Sequence, residues 1–358
     1  HLGMPSQSKD PRPDDGAEDT DAWIPPGPAR QGWDYWYAYN AMNNHRRPHY
    51  WRDSPEKIVV DEWSPKHETD VAIDFMRGRD PNRPFCLMVS WNPPHPPYVT
   101  PEKWLEQYPN PQDIPLRPNC DPAFRDFRGY TGVRNVSDAY QQYFGAVTSI
   151  DHEFGRLLSA LKQMGIEDNT LVVLTSDHGE MLGSHRFDEK GRFYEEACGI
   201  PFLARLPGVI EPRLDNELLL STPDMLPTIL GLTGLSIPSS VVGTDFSSHF
   251  RGQLQELPEE AVIERTRHMT IPDAGGRAIR TLRYTYAECP EPIRTQVDTQ
   301  WRGEWPVLFD NLMDPYQMHP IYYGEGFDGL MDEMHERLVA ALERNQDAAY
   351  ERFAKARA

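Results

Sequence analysis

Apolar positions along this chain fall into two alternating patterns. Unbroken apolar runs bounded by turn residues occur at "PFCLMVSW" (84–91), "NTLVVLTS" (169–176) and "IPFLARLPG" (200–208). Such runs predict strands buried on both faces. Elsewhere apolar residues recur every third or fourth position, the period of a helix with one buried stripe. From Ser137 to Met164 the recurring residues are Tyr140, Phe144, Val147, Ile150, Phe154, Leu157 and Leu161. Ser137 is the expected N-cap and Gly165 the expected stop. Helices are also predicted over 67–79, over "STPDMLPTILGLTGL" (221–235) and over 328–346. Helix followed by strand, repeated, predicts the α/β class, with a mostly parallel sheet flanked by helices.

The pattern changes near residue 256. "EEAVIER", "GRAIRTLRYTYAEC" and "PVLFDNLMDP" alternate in the manner of half-buried strands separated by turns. Together with the last helix they predict a small C-terminal antiparallel-sheet plus helix subdomain over 256–358, after a larger α/β part over 1–255. A length of 358 residues suits that division. Residues 4–32 are rich in Pro, Asp, Gly and Ser and carry neither period, so they read as an irregular surface segment. No internal repeat is visible.

Composition narrows the class. Hydrophobic residues make up 39% and charged residues 25%, a globular balance. No window of 18 apolar residues exists, so no membrane-spanning helix is predicted. A net charge of −19 argues against nucleic acid as the partner, because phosphate binding needs a basic face. It leaves an anionic substrate open, since a local cationic pocket or a metal overrides the global field. The four cysteines are far apart in sequence, which excludes zinc-type spacing and leaves disulfides undetermined.

The polar residues that stand out lie where α/β sheets place ligands, at the carboxyl ends of strands. His95 follows the run 84–91 inside "NPPHPPYVTP". Asp177 and His178 end the run 169–176, and Lys190 lies on the next loop. Asp177 and His178 suit a divalent cation, or else a capped polar turn. His95, held by its prolines, suits acid–base work or simple loop packing. Lys190 suits an anion clamp or a surface salt bridge with Asp177. The stretch "GWDYWYAYNAMNNHRRPHYW" (32–51) reads either as aromatic packing under a loop or as a substrate-contacting region, with His45 and Arg46 as its candidate binding residues. No Ser, Cys or Thr sits at a strand-to-helix elbow with a basic partner, so a nucleophile search fails. Asn135-Val136-Ser137 matches a glycosylation acceptor.

These motifs carry a resemblance. "YFGAVTSIDHEFGRLLSALKQMGIEDNTLVVLTSDHGEMLGSH" followed by "EKGRFYEEACGIPFLARLPG" resembles the formylglycine-dependent sulfatase family of the alkaline phosphatase superfamily. "SWNPPHPPY", "STPDMLPTILGLTGLSIP", "GTDFS", "AIRTLRYTYAE" and "LFDNLMDPYQMHP" follow in the family's order. The opening "HLG" is similar to the end of the family's Lys-Trp-His-Leu-Gly motif.

The resemblance implies an alkaline-phosphatase-like fold and a sulfate-ester hydrolase, acting on a sulfated carbohydrate and located in the periplasm or secreted. Asp177 and His178 become ligands of a divalent cation, calcium first and manganese or magnesium as alternatives. His178 stands where many members have Asn. Lys190 becomes the lysine on the sulfate oxygens, His95 the sulfate-binding acid, and His1 the histidine that releases sulfate from the spent nucleophile. The family's nucleophile, a Cys or Ser oxidised to formylglycine, and its paired Asp ligands belong to a segment upstream of these motifs and are absent from this sequence. A phosphonate monoester or phosphodiester hydrolase of the same superfamily, or an inactive scaffold, is the alternative expectation, and a homo-oligomer is left open.

Overall fold

A computed structural model describes residues 21–40, 42–266, 275–289 and 305–355. The readings of His1, of the "HLG" opening and of residues 4–20 therefore lie outside the described residues. The chain divides into two compact units. The first runs to Leu116 and resumes over Pro122–Glu167; the second holds Arg117–Asp121 and the described chain from Asp168 onward.

In the first unit, β1 (His49–Tyr50) and β2 (Ile58–Val59) form a short antiparallel pair. Helix α1 (Ser64–Gly78) begins three residues before the expected start, because Pro65 fits the first helical turn. It packs on α2 (Val136–Gln163). The N-cap of α2 is Asn135 rather than Ser137: its Oδ1 accepts from the Asp138 amide at 2.9 Å, and its Nδ2 donates to Asp138 Oδ2 at 2.6 Å. The amide of the glycosylation match is thus engaged in a helix cap. Gly165 ends the helix as expected, with φ +66° and the Ile166 amide donating to Leu161 O at 3.1 Å.

The apolar stripe of the sequence pattern is buried at Tyr140 and Leu161 and half-buried at Phe144, Ile150, Phe154 and Leu157, and small residues share the buried side. Ala139, Ala146, Ser149 and Ala160 are buried, whereas Val147 is 44% exposed. Small residues allow close approach of the two helices. Polar links cross the joint: Trp63 Nε1 donates to Ser149 Oγ at 3.1 Å, and Arg156 bridges Glu153 and Asp70.

The run 84–91 is not a strand among the described residues. Phe85, Leu87, Val89 and Trp91 are half-buried, while Met88 between them is 55% exposed. The segment has no ladder partner among the described residues, and without one an apolar run gains no sheet.

The second unit opens with β3 (Val172–Thr175), continues through the four-residue α3 (Glu195–Cys198), and pairs β3 with β4 (Phe202–Arg205). The pair is antiparallel, from Val172↔Arg205 to Thr175↔Phe202, where neighbours in a parallel sheet were expected. The connection holds turns and a single helical turn, not the crossover helix that a parallel pair requires. Helix α4 (Thr222–Thr233) follows, capped by the reciprocal Ser221–Asp224 box and stopped at Gly234 with φ +72°. A one-turn helix, α5 (Ser247–Phe250), precedes the C-terminal sheet.

The expected C-terminal architecture is present. Strands β5 (Glu260–Thr266), β6 (Gly275–Thr281), β7 (Tyr284–Glu288) and β8 (Val307–Asp310) form an antiparallel sheet in sequence order. Helix α6 (Asp328–Arg344) lays Met331, Met334, Leu338 and Leu342 on Ile279, Tyr286 and Leu308 of that sheet. A final helix, α7 (Tyr350–Lys355), adds Phe353 to the same core. Each fully buried side chain of this kind contributes about 1.5–3 kcal/mol. All four cysteines are free thiols, with Cys120 and Cys289 buried.

Candidate active site

The candidate residues fall into two sets, one in each unit. In the first unit, His95 sits in the Pro-rich loop with its amide donating to Asn92 O at 3.0 Å. Its Nδ1 lies 2.6 Å from Pro96 O, so Nδ1 carries the hydrogen donated to that carbonyl. The proton the neutral ring can accept then goes to Nε2.

His45 lies beneath this loop and not on an open face: it is 1% exposed, and its Nε2 is 2.8 Å from His95 O. Burial pushes the His45 pKa down to about 4. The ring is neutral at pH 7 and supports the His95 main chain. Arg46 donates through Nε to Val99 O at 2.7 Å and through a terminal nitrogen to Thr100 O at 2.8 Å. It straps the segment that follows His95, and it lines a cleft of about 490 Å³ together with Tyr98, Glu102, Leu105 and Gln142.

The aromatic stretch around these residues is largely packed on itself. Tyr37 stacks on Tyr50 with ring centroids 4.8 Å apart, and Tyr50 stacks on His67 at 5.3 Å. Tyr37 Oη lies 2.8 Å from His67 Nε2, and His67 Nδ1 lies 3.0 Å from Glu62. The packing reading describes most of this stretch.

In the second unit, β3 ends at Thr175 and delivers Asp177 and His178. His178 Nδ1 lies 2.8 Å from Gly179 O, a contact that requires the hydrogen on Nδ1 and leaves the Nε2 lone pair as a ligand. That Nε2 is 3.5 Å from Asp177 Oδ2. Asp177 Oδ1 accepts from the His178 amide at 2.9 Å, so the two side chains meet in a polar turn that presents one carboxylate oxygen and one ring nitrogen side by side. The donor set therefore fits a divalent cation, with one oxygen and one nitrogen from this chain. No group of three or more His, Cys, Asp or Glu side chains able to hold a metal occurs among the described residues. The Asp177 side chain is 85% exposed and makes no salt bridge with Lys190.

Lys190 follows a tightly wound loop. Leu182, His185, Arg186 and Glu189 all have positive φ, four of the seven non-glycine cases described. Such backbone is costly and clusters at functional sites. Met181 N donates to Glu189 O at 2.8 Å, closing the loop and returning the chain toward the motif. Glu180, which no spacing rule singled out, has its pKa pushed up to about 7 by burial, with the nearby Lys190 ammonium pulling the other way.

Sequence reasoning also missed the support behind the motif. Gly179 donates its amide to Ala197 O at 2.9 Å, and a Cβ on Gly179 would meet Glu196 O at 2.0 Å. Only glycine lets α3 lie this close to the Asp-His pair. A glycine directly after the two polar residues was the available signal.

A protein-family model described as Sulfatase matches residues 10–235, and one described as N-sulphoglucosamine sulphohydrolase, C-terminal, matches residues 183–344. The chain belongs to the sulfatase family. It is 35% identical to the endo-4-O-sulfatase of Bacteroides thetaiotaomicron over 348 residues, covering 91% of this chain and 65% of that one. It is 31% identical to the ulvan-active sulfatase of Formosa agariphila, covering 88% of this chain and 60% of the other. The chain thus spans less than two thirds of the length of either relative. Among solved structures, one from work on the metabolism of multiple glycosaminoglycans by Bacteroides thetaiotaomicron superposes with a TM-score of 0.79 at 34% identity, covering 93% of this chain and 69% of that one. The phosphonate monoester hydrolase of Agrobacterium radiobacter shares the fold, with a TM-score of 0.65 at 21% identity, over 81% of this chain and 63% of its own. The alkaline-phosphatase-like class expected of this sulfatase-family chain is therefore its fold.

Proposed function

We propose that the whole protein hydrolyses sulfate esters of a carbohydrate, with this chain contributing one side of the metal site, the proton donor and the anion clamp. The observation that carries the proposal is the Asp177–His178 pair, whose two lone-pair donors face each other across 3.5 Å at the end of β3. Relatives whose names state carbohydrate sulfatase activities support the substrate class.

In this reading, Asp177 and His178 hold the divalent cation, calcium first. The cation supplies charge neutralisation for the sulfate oxygens, and a formylglycine contributed by the rest of the protein supplies the nucleophile. Lys190 binds the sulfate oxygens and stabilises the charge that grows on the departing oxygen. His95, with its Nδ1 hydrogen committed to Pro96 O, delivers the Nε2 proton to that oxygen. His1 is assigned the release of sulfate. Arg46, on the cleft beside the His95 loop, contacts the sugar, and His45 holds the loop from below. A C-terminal module over 256–358, after a catalytic part over 1–255, belongs to the same proposal; the onset of β5 at Glu260 supports it.

The test is direct. The whole protein is assayed on a sulfated oligosaccharide, an aryl sulfate and an aryl phosphonate. Sulfate release from the saccharide, lost by 10²-fold or more in His95→Ala and Lys190→Ala, is the expected result. Faster turnover of the phosphonate overturns the sulfatase reading in favour of the phosphonate hydrolase one.

A further inference from the structure

Behind the Asp177–His178 pair lies a buried polar knot that the proposed chemistry does not use. The Glu196 side chain is 3% exposed, yet it sits on the single turn α3. Its Oε1 accepts from Arg117 Nε at 2.9 Å and from Asn119 Nδ2 at 2.5 Å, and its Oε2 is buried with no hydrogen-bond partner. Asn119 Nδ2 also lies 3.0 Å from His185 Nε2 and 2.9 Å from Tyr316 O. At the start of the same turn, the Glu195 amide donates to Gln317 Oε1 at 2.7 Å, and the Glu195 carboxylate lies 3.3 Å from Arg280 Nε. Segments near residues 117, 185, 280 and 317 thus converge on four residues of helix.

That helix meets the motif through its main chain. Gly179 N donates to Ala197 O at 2.9 Å, and the Glu196 carbonyl lies where a Gly179 Cβ would be. A shift of α3 by a few tenths of an ångström therefore moves Gly179, the residue whose own carbonyl orients the His178 ring. An isolated helical turn has no internal means of holding its place. A buried carboxylate that lost its donors would be costly to retain there, so Arg117 and Asn119 fix Glu196 and Glu196 fixes the turn.

We infer that Glu196 is a positioning residue for the Asp177–His178 pair, held by Arg117 and Asn119 and acting through the contact of α3 with Gly179. The inference rests on the metal reading of the pair. It extends that reading to a residue that touches neither metal nor substrate. The role of Glu196 is to set the direction in which two ligands leave the strand, as outer-shell partners do in metal sites generally.

The experiment compares the whole protein with its Glu196→Gln and Asn119→Ala variants. Glu196→Gln keeps the shape of the side chain and weakens the charge-assisted bonds; Asn119→Ala removes a donor and leaves the carboxylate intact. Two readouts are taken. The first is Mn²⁺ affinity by electron paramagnetic resonance, expected to fall about tenfold to a hundredfold in both variants. The second is hydrogen exchange at the Gly179 amide without metal, expected to quicken in both while the β6–β7 amides exchange as in the parent protein. Unchanged Mn²⁺ affinity and Gly179 exchange in the variants overturn the inference. Failure of the parent protein to bind Mn²⁺ or Ca²⁺ overturns the metal reading instead, so the two failures are distinguishable. If Glu196→Gln does not fold, Asn119→Ala decides by the same criteria.

Discussion

His45 Nε2 lies 2.8 Å from the main-chain oxygen of His95, and the other nitrogen of the His45 ring is buried with no hydrogen-bond partner. The ring can donate to that oxygen while neutral, and burial opposes a second proton. Burial accordingly holds its pKa at about 4. In the unfolded chain the same ring titrates near 6.5. Between these values the unfolded chain binds a proton and the native protein does not, so stability falls as pH drops from about 6.5 toward 4. The loss amounts to about 3 kcal/mol at most. His45→Gln keeps a side-chain donor and removes the titration. Its urea midpoint is expected to vary less than that of the parent protein between pH 6.5 and 4.5. Parallel curves would rule out His45 as the titrating group.

Gly179→Ala should disrupt the motif without touching either ligand. Its Cβ would lie 2.0 Å from Glu196 O, a main-chain atom that cannot rotate away. Relief requires α3 or the turn after β3 to move. Overpacking of this kind costs about 1–3 kcal/mol and displaces backbone. The variant is expected to unfold at lower urea concentration and to lose sulfate-ester turnover beyond what its folded fraction explains. A variant with parental midpoint and turnover would show that α3 is not held as described.

Binding of a divalent cation to the native protein should raise Tm in a concentration-dependent way. At a ligand concentration about a hundred times Kd, the gain is about 2.7 kcal/mol. Differential scanning fluorimetry of the whole protein across a Ca²⁺ series measures this. Asp177→Asn and His178→Ala are each expected to shift the curve to higher Ca²⁺, and chelation is expected to remove the gain. A Ca²⁺ response that neither substitution alters would place the ion elsewhere.

How much was legible depended on whether the information was local. Helix α4 was readable to within two residues at either end, because Ser221, Asp224 and Gly234 are themselves the cap, the box partner and the stop. The C-terminal sheet and α6 were readable because each strand and the helix carries its own period and packs against its neighbours in sequence. The run 84–91 failed as a strand because a strand is a relation to a partner, and none is present among the described residues. The N-cap of α2 was misplaced by two residues, since Asn135 and Ser137 both cap well and only the backbone chooses between them. Among the candidates, Asp177, His178, His95 and Lys190 stand out in the sequence by their positions after apolar runs, and their roles are those proposed above. Glu196 was not, because its meaning comes from Asn119, 77 residues away, and from Tyr316, whose carbonyl meets the same amide. His45 was read as facing substrate, but burial under the His95 loop is a tertiary fact that spacing does not encode.

Glu68 offers a test of buried charge away from the site. Its Oε1 accepts from Tyr50 Oη at 2.8 Å, while its Oε2 is inaccessible and has no hydrogen-bond partner. Tyr50 itself is 1% exposed and stacked on His67, so water does not reach the pair from that side. Burial raises the Glu68 pKa to about 8, with the Tyr50 hydrogen bond opposing the rise. The unfolded value is about 4.3. The native protein therefore keeps a proton that the unfolded chain releases, so the associated stability is fully present below about pH 4.3 and is lost as pH rises through 8. Glu68→Gln retains an oxygen to accept from Tyr50 and is neutral throughout. Its Tm is expected to exceed that of the parent protein by several degrees at pH 9, with the gap narrowing steadily toward pH 5. Tyr50→Phe in the Glu68→Gln background removes the remaining hydrogen bond and should lower Tm equally at both pH values. A gap that does not depend on pH would mean that Glu68 is ionised in the native protein across this range.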